Sequence, residues 1–130
     1  MKVAVLLLTH TGLGTALVNA SRGALGNLPL PVEASDYRNG EDIEVAVTRA
    51  ARALRSVDQG AGVLVLTDLF GATPSNIAAR LARETSRLRR VSGVNLPMLL
   101  RIMNYPEQDL DALAATASGG GRNGVIIDQG

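Results

Sequence analysis

A chain of 130 residues that is 46% apolar but only 2% aromatic must build its core from Val, Leu, Ile and Ala, and it has length for one such core rather than two. A formal charge of +1 and the absence of Trp argue against a nucleic-acid partner, because neither a basic footprint nor stacking platforms are present. Without cysteine there is no disulfide and no thiolate metal site, which fits a reducing compartment; the expected location is the cytoplasm.

The first element is the apolar run Val3–Leu8. It is too short for a signal-peptide core and no small-residue cleavage site follows it. No stretch approaches the ~20 apolar residues of a membrane span, so no membrane insertion is expected. The run reads as a buried strand ending in the glycine-bearing segment Thr9–Gly14. Leu13 to Leu25 follows as a helix, with Leu13, Ala16, Leu17, Ala20, Ala24 and Leu25 expected on its core face. Gly26, Asn27, Pro29 and Pro31 close it. Val32–Ser35 is a short strand and Asp36–Gly40 a polar loop.

Glu41–Val57 predicts a helix with Ile43, Val47, Ala50, Ala51 and Leu54 on one face, acids early and arginines late as the helix dipole prefers. Val63–Thr67 is a second strongly buried strand. After it come Asp68, Leu69, Phe70, Gly71, Ala72 and then Thr73-Pro74, a helix start with Thr73 as N-cap; that helix is expected to reach about Leu88. Arg89–Gly93 is a fourth strand. Asn95–Tyr105 and Glu107–Ala117 are helical segments separated by Pro106. Gly119–Gly121 reads as a hinge before a last strand at Val125–Asp128. Alternating strands and helices without repeats or linkers predict one domain over 1–130, a three-layer α/β/α fold with a largely parallel sheet in the flavodoxin-like order 2-1-3-4-5.

In that order the ligand site lies beyond the carboxyl ends of strands 1 and 3, where the strand order reverses. His10, the only histidine, follows strand 1, and Asp68 follows strand 3; each is preceded by a threonine and stands beside a glycine turn. One histidine and no cysteine are too few ligands for a metal site. No G-x-S-x-G elbow marks a hydrolase. The imidazole itself is then the candidate nucleophile: a carboxylate on one ring nitrogen fixes the tautomer and leaves the other lone pair free. The amides of Gly71, Ala72 and Thr73 open a helix N-terminus, a ready anion site. A nucleophilic nitrogen beside an anion cradle points to phosphoryl transfer, with no cofactor required.

The segments Thr9-His10, Asp68-Leu-Phe-Gly-Ala-Thr-Pro-Ser-Asn76 and Ser92-Gly-Val-Asn-Leu-Pro-Met-Leu99 together resemble the mannose-family enzyme IIA domains of the phosphoenolpyruvate:sugar phosphotransferase system. The family patterns are T/S-H, D-x-x-G-G-[ST]-P-x-N and G-V-N-[LI]-P-M-L. The resemblance implies a phosphotransferase with a phosphohistidine intermediate: HPr donates phosphate to His10 at Nε2, a IIB component accepts it, Asp68 holds the other ring nitrogen, and Thr73 lies near the phosphoryl group. It also implies a homodimer in which an antiparallel fifth strand is exchanged between subunits, with Gly119–Gly121 as the hinge. Two departures stand out. Thr11 replaces the glycine after the histidine, and Ala72 replaces the second glycine of the pair, which is harmless only if that residue has negative φ.

Other readings remain. Gly12-Leu13-Gly14 with Asp36 some twenty residues on suggests a nucleotide-binding module, but Leu17 stands where the third glycine should be. A freestanding IIA that signals metabolic state through phosphorylation-dependent binding is not separated from one that serves sugar uptake. Asn95 and Met98 are candidates for a partner interface. The arginines Arg80, Arg83, Arg87, Arg89 and Arg90 read as a solvated helix face, with docking of acidic partners as the weaker alternative.

Overall fold

A computed structural model describes residues 1–85 and 87–130. Four strands, β1 (Ala4–His10), β2 (Val32–Tyr37), β3 (Val63–Thr67) and β4 (Leu88–Ser92), form one parallel sheet in the order β2-β1-β3-β4. Five helices cover it: α1 (Leu13–Leu25), α2 (Ile43–Val57), α3 (Thr73–Ala82), α4 (Leu96–Ile102) and α5 (Leu110–Asn123).

Alternation along β1 divides the core in two. Ala4, Leu6 and Leu8 face α2 and α3 and meet Val65, Ala50, Ile77 and Leu81 there. Val3, Val5 and Leu7 face α1, α4 and α5 and meet Leu64, Leu66, Leu99, Ile102 and Leu113. The central strands are apolar on both faces because helices cover both. With almost no aromatic rings to fill space, alanines at Ala46, Ala50 and Ala53 bring α2 close to the sheet.

Several elements differ from the sequence expectation. β2 extends to Tyr37, so Asp36 is a strand residue and not part of a loop. α3 stops at Ala82 rather than near Leu88, and β4 begins at Leu88. Thr73 is the first helical residue; Ala72 is the N-cap and no side chain caps this end. α4 is shorter than expected. The apolar stripe assigned to the core face of α1 is mostly on the surface: the helix buries Gly14, Val18 and Ser21, while Leu13, Ala16, Ala20, Ala24 and Leu25 are exposed. Periodicity was misleading there because Ser21 is buried with its hydroxyl satisfied on the Leu17 carbonyl, 2.9 Å away.

The expected hinge at Gly119–Gly121 lies inside α5. The requirement there is contact, not flexibility. A Cβ on Gly120 would stand 2.6 Å from Arg101 Cβ, and one on Gly121 would stand 2.8 Å from Met98 Cε, so the glycines let α5 lie directly on α4. Residues 125–130 adopt no regular structure within the chain and are exposed, Val125, Ile126 and Ile127 among them. The expected strand at Val125–Asp128 therefore does not pair with the chain's own sheet.

Candidate functional site: a histidine–carboxylate pair at the strand ends

His10 is the last residue of β1, and Asp68 is the first residue beyond β3. Leu8 of β1 lies opposite Thr67 of β3, so the register of the two strands carries the side chains to the same edge. The two groups that the sequence reading singled out are 58 positions apart and in direct contact. Asp68 Oδ2 accepts the His10 backbone N–H at 3.0 Å and lies 2.7 Å from ring Nδ1. One oxygen thus fixes both the main chain and the ring of the same residue.

Burial raises the Asp68 pKa, but the His10 amide and ring outweigh it and hold the carboxyl below its ordinary value. An ionised carboxylate only accepts hydrogen bonds, so Nδ1 must carry the proton, and in the neutral ring the lone pair is on Nε2. The Asp68 side chain is 10% exposed and that of His10 is 40% exposed. The carboxylate is sheltered while the imidazole stays open to solvent. Tyr37 supports the ring edge-on, with centroids 6.4 Å apart and planes at 78°.

The turn after His10 is tied to its neighbours by hydrogen bonds. Thr9 Oγ1 accepts the Gly14 N–H at 2.8 Å and donates to the His10 carbonyl at 2.9 Å. Thr11 Oγ1 donates to the Tyr37 carbonyl at 2.8 Å. Gly12 takes positive φ, +86°, and Thr11 does not, so threonine in place of glycine is compatible with the backbone here. Asp36 Oδ2 accepts the Gly12 N–H at 2.9 Å and the Thr15 hydroxyl at 3.1 Å. It supplies the cap that α1 lacks, since Gly12 at its N-cap position has no side chain.

Asp36 and Tyr37 are the site residues that sequence reasoning missed. Placing Asp36 in a loop hid it; extending β2 by two residues would have set it opposite Thr9. Its actual use also removes the footing of the nucleotide-binding reading. The carboxylate sits on the first turn of α1, where a dinucleotide's pyrophosphate would need to lie.

On the β3 side Gly71 takes φ +86° and Ala72 takes φ −77°, ψ 173°. Ala72 is thus extended, and the second family glycine is not needed at this position. Its amide donates to the Leu69 carbonyl at 3.2 Å, within the turn. Gly71 and Thr73 precede or open α3 with Pro74 in the first turn. Asn95 is the N-cap of α4, accepting the Met98 N–H at 2.9 Å and donating to the Gly121 carbonyl at 3.0 Å, and Met98 is buried. Both residues serve packing.

The arginines do not form one face. Arg80 holds Glu44 of α2 through both guanidinium nitrogens, and Arg89, in β4, reaches Asp111 of α5 at 2.7 Å. A groove of about 740 Å³ runs over the edge of β2 beside Thr11, Asp36 and Arg49 and is not lined by His10. Among the described residues no helix is long and apolar enough to cross a membrane, and no three His, Cys, Asp or Glu side chains converge to hold a metal ion.

A comparison with protein families matches residues 4–118 to EIIA-man, described as "PTS system fructose IIA component". The "PTS system mannose-specific EIIAB component" of Escherichia coli K12 is 31% identical over 127 residues, covering 96% of this chain and 39% of that protein. The "PTS system fructose-specific EIIA component" of Bacillus subtilis is 37% identical over 71 residues, 55% of this chain and 49% of that protein. The matched residues thus cover less than half the length of each of these two relatives. Among solved structures, the mannose/sorbose-specific IIA subunit from Enterococcus faecalis superposes with a TM-score of 0.89 at 26% identity, covering 100% of this chain and 98% of that one. An EIIA component from Streptococcus agalactiae shares the fold, with a TM-score of 0.82 at 21% identity over 96% of each chain.

Proposed function

The chain belongs to the EIIA-man family of phosphotransferase-system IIA components, and from that premise we propose that it is a cytoplasmic phosphocarrier that takes a phosphoryl group from phospho-HPr onto His10 and passes it to a IIB component for sugar uptake. The observation that carries this reading is the 2.7 Å contact between His10 Nδ1 and Asp68, because it commits Nδ1 to the proton and leaves Nε2 as the nucleophile.

In the forward step the Nε2 lone pair attacks phosphorus. The new P–N bond forms as the bond from phosphorus to the donor breaks, and that bond's electron pair leaves with the donor. No proton moves at His10, since the proton stays on Nδ1, which donates to the Asp68 carboxylate, and the positive charge that develops on the ring faces that carboxylate. The Gly71 and Thr73 amides at the start of α3 are the proposed cradle for the phosphoryl oxygens, with the Thr73 hydroxyl as an added donor; the Ala72 amide is already given to the Leu69 carbonyl. Transfer to the IIB component reverses the same bond changes.

The proposal includes a homodimer in which residues 125–128, with Val125, Ile126 and Ile127 exposed and the segment unpaired within the chain, add to the sheet of a second copy. Incubation with phosphoenolpyruvate, enzyme I and HPr is expected to place acid-labile, base-stable phosphate on the wild-type chain and none on His10→Ala. Equal labelling of that variant refutes the assignment.

A further inference from the structure

Three side chains hold the main chain around His10. Asp68, beyond β3, accepts its N–H at 3.0 Å. Thr9 Oγ1 donates to its carbonyl at 2.9 Å. The third is Thr11, whose Oγ1 donates to the Tyr37 carbonyl at 2.8 Å. The first two act on His10 itself, and the third acts on the pairing of β1 with β2. The register of these strands ends with His10 opposite Tyr37, so the last rung of the ladder runs from the Thr11 amide to the Tyr37 carbonyl. A carbonyl oxygen has two lone pairs, and the Thr11 hydroxyl takes the second. One residue doubles the terminal rung.

That rung needs the support. β2 is an edge strand, so no further strand backs it, and Thr11 is itself exposed. Rungs at the end of a sheet open more readily than those inside it, because fewer neighbours restrain them. What this one keeps in place is Tyr37. Its ring meets the imidazole edge-on with centroids 6.4 Å apart, while Asp68 holds the ring only at Nδ1. When the rung opens, Tyr37 leaves its register with His10, and the imidazole keeps a single fixed contact about which it can swing. An attacking lone pair must lie along a narrow line to phosphorus, and a small misplacement costs rate. Asp36 accepts the Gly12 N–H in the same turn, but it also caps α1 through Thr15, so changing it disturbs the helix as well. Among the described residues, the Thr11 hydroxyl makes its one bond to Tyr37 and no other.

We propose that Thr11 is a positioning residue for phosphate acceptance: its hydroxyl locks the last rung between β1 and β2 and so keeps Tyr37 against the imidazole. The inference rests on the phosphocarrier reading of His10 and adds to it the residue that steadies the nucleophile. Thr11 acts through Tyr37 and touches neither the ring nor the phosphoryl group in this role. The three side-chain choices at this position separate its parts. A glycine keeps the backbone rung, loses the hydroxyl and adds main-chain freedom directly after the histidine. Valine keeps the shape and removes only the donor, whereas serine keeps the donor.

The test measures phosphorylation of wild type, Thr11→Val and Thr11→Ser by two donors, phosphoramidate and phospho-HPr. Thr11→Val is expected to slow both by a similar factor, about three- to tenfold, the range set by one net hydrogen bond. With phospho-HPr the loss should fall on kcat, with KM within about twofold of wild type. Thr11→Ser should stay within about twofold of wild type with either donor, because the hydroxyl is kept. The imidazole proton resonances of His10, the chain's only histidine, give an independent reading. They should move or broaden in Thr11→Val and stay close to wild type in Thr11→Ser. An unchanged rate in Thr11→Val, or an equal loss in Thr11→Ser, overturns the proposal. So does a loss confined to phospho-HPr, which would make Thr11 a contact for the partner. Wild type that takes no phosphate from either donor refutes the phosphocarrier reading instead. The resonances then judge the clamp alone: a change in Thr11→Val that Thr11→Ser lacks upholds it, and no change refutes it.

Discussion

At Asp68, one carboxylate oxygen accepts two hydrogen bonds from a single residue while the other is buried without a protein partner. This group is specialised for orientation and charge. Replacing it with asparagine preserves the volume, but the amide is neutral and can present its NH₂ to Nδ1, which selects the opposite tautomer. Asp68→Asn is therefore expected to accept phosphate from phospho-HPr roughly 10–100-fold more slowly, the range known for metal-binding histidines that lose their orienting partner. Stopped-flow labelling measures this, and an unchanged rate removes the assigned role. The same residue contributes to acid stability with a definite sign. Its folded-state pKa lies below the ordinary value of 3.8, so its stabilisation is complete above that pH and is lost as the pH falls below it. The Asn variant should show a shallower loss of stability over that acid range in urea titrations. Glu41, held at about 2 by the Arg49 guanidinium, follows the same rule from 4.5 downward.

Among the elements, α5 shows how context sets the value of a glycine. Gly119 and Gly120 are adjacent helical residues with the same intrinsic cost, but a Cβ on Gly119 meets nothing within 4 Å while one on Gly120 would meet Arg101 Cβ at 2.6 Å. Gly119→Ala is expected to stabilise the protein by about 0.5–1 kcal/mol through helix propensity. Gly120→Ala is expected to destabilise it by about 1–3 kcal/mol, because forcing α5 off α4 outweighs the same propensity gain. Urea midpoints of the two variants should move in opposite directions. If both rise, the close α4–α5 contact is not a constraint in solution. The exposed stripe of α1 teaches a related lesson. Leu13, Ala16, Ala20 and Ala24 satisfy helical spacing, yet the sheet receives Gly14, Val18 and Ser21 instead. Gly14 is buried because a Cβ there would stand 3.0 Å from Thr9 Oγ1, at the point where α1 crosses closest to β1.

For the whole molecule, parallel connections around β1 and β3 send both strands to the same edge, and every proposed functional group lies there. The opposite end of the chain is the unresolved balance. Residues 125–128 expose Val125, Ile126 and Ile127, and β4 is an edge strand of the sheet. An exposed apolar segment and an open edge are complementary in two copies of one chain. Removal of residues 124–130 is expected to convert a dimer to a monomer by light scattering without unfolding it. A truncated chain that keeps the dimer mass refutes strand exchange.

Four strands, their order and the meeting of His10 with Asp68 were legible from the sequence, because continuous apolar runs between turn signals have few folded alternatives and the chain has a single imidazole; the fifth strand expected at Val125–Asp128 is not formed within the chain. Tertiary structure alone decided which stripe of α1 is buried, that Gly119–Gly121 continues a helix, and that Asp36 reaches across from β2 to cap α1. Each of these depends on the distance between elements far apart in the chain. Periodicity reports which residues share a face, but only packing determines which face turns inward.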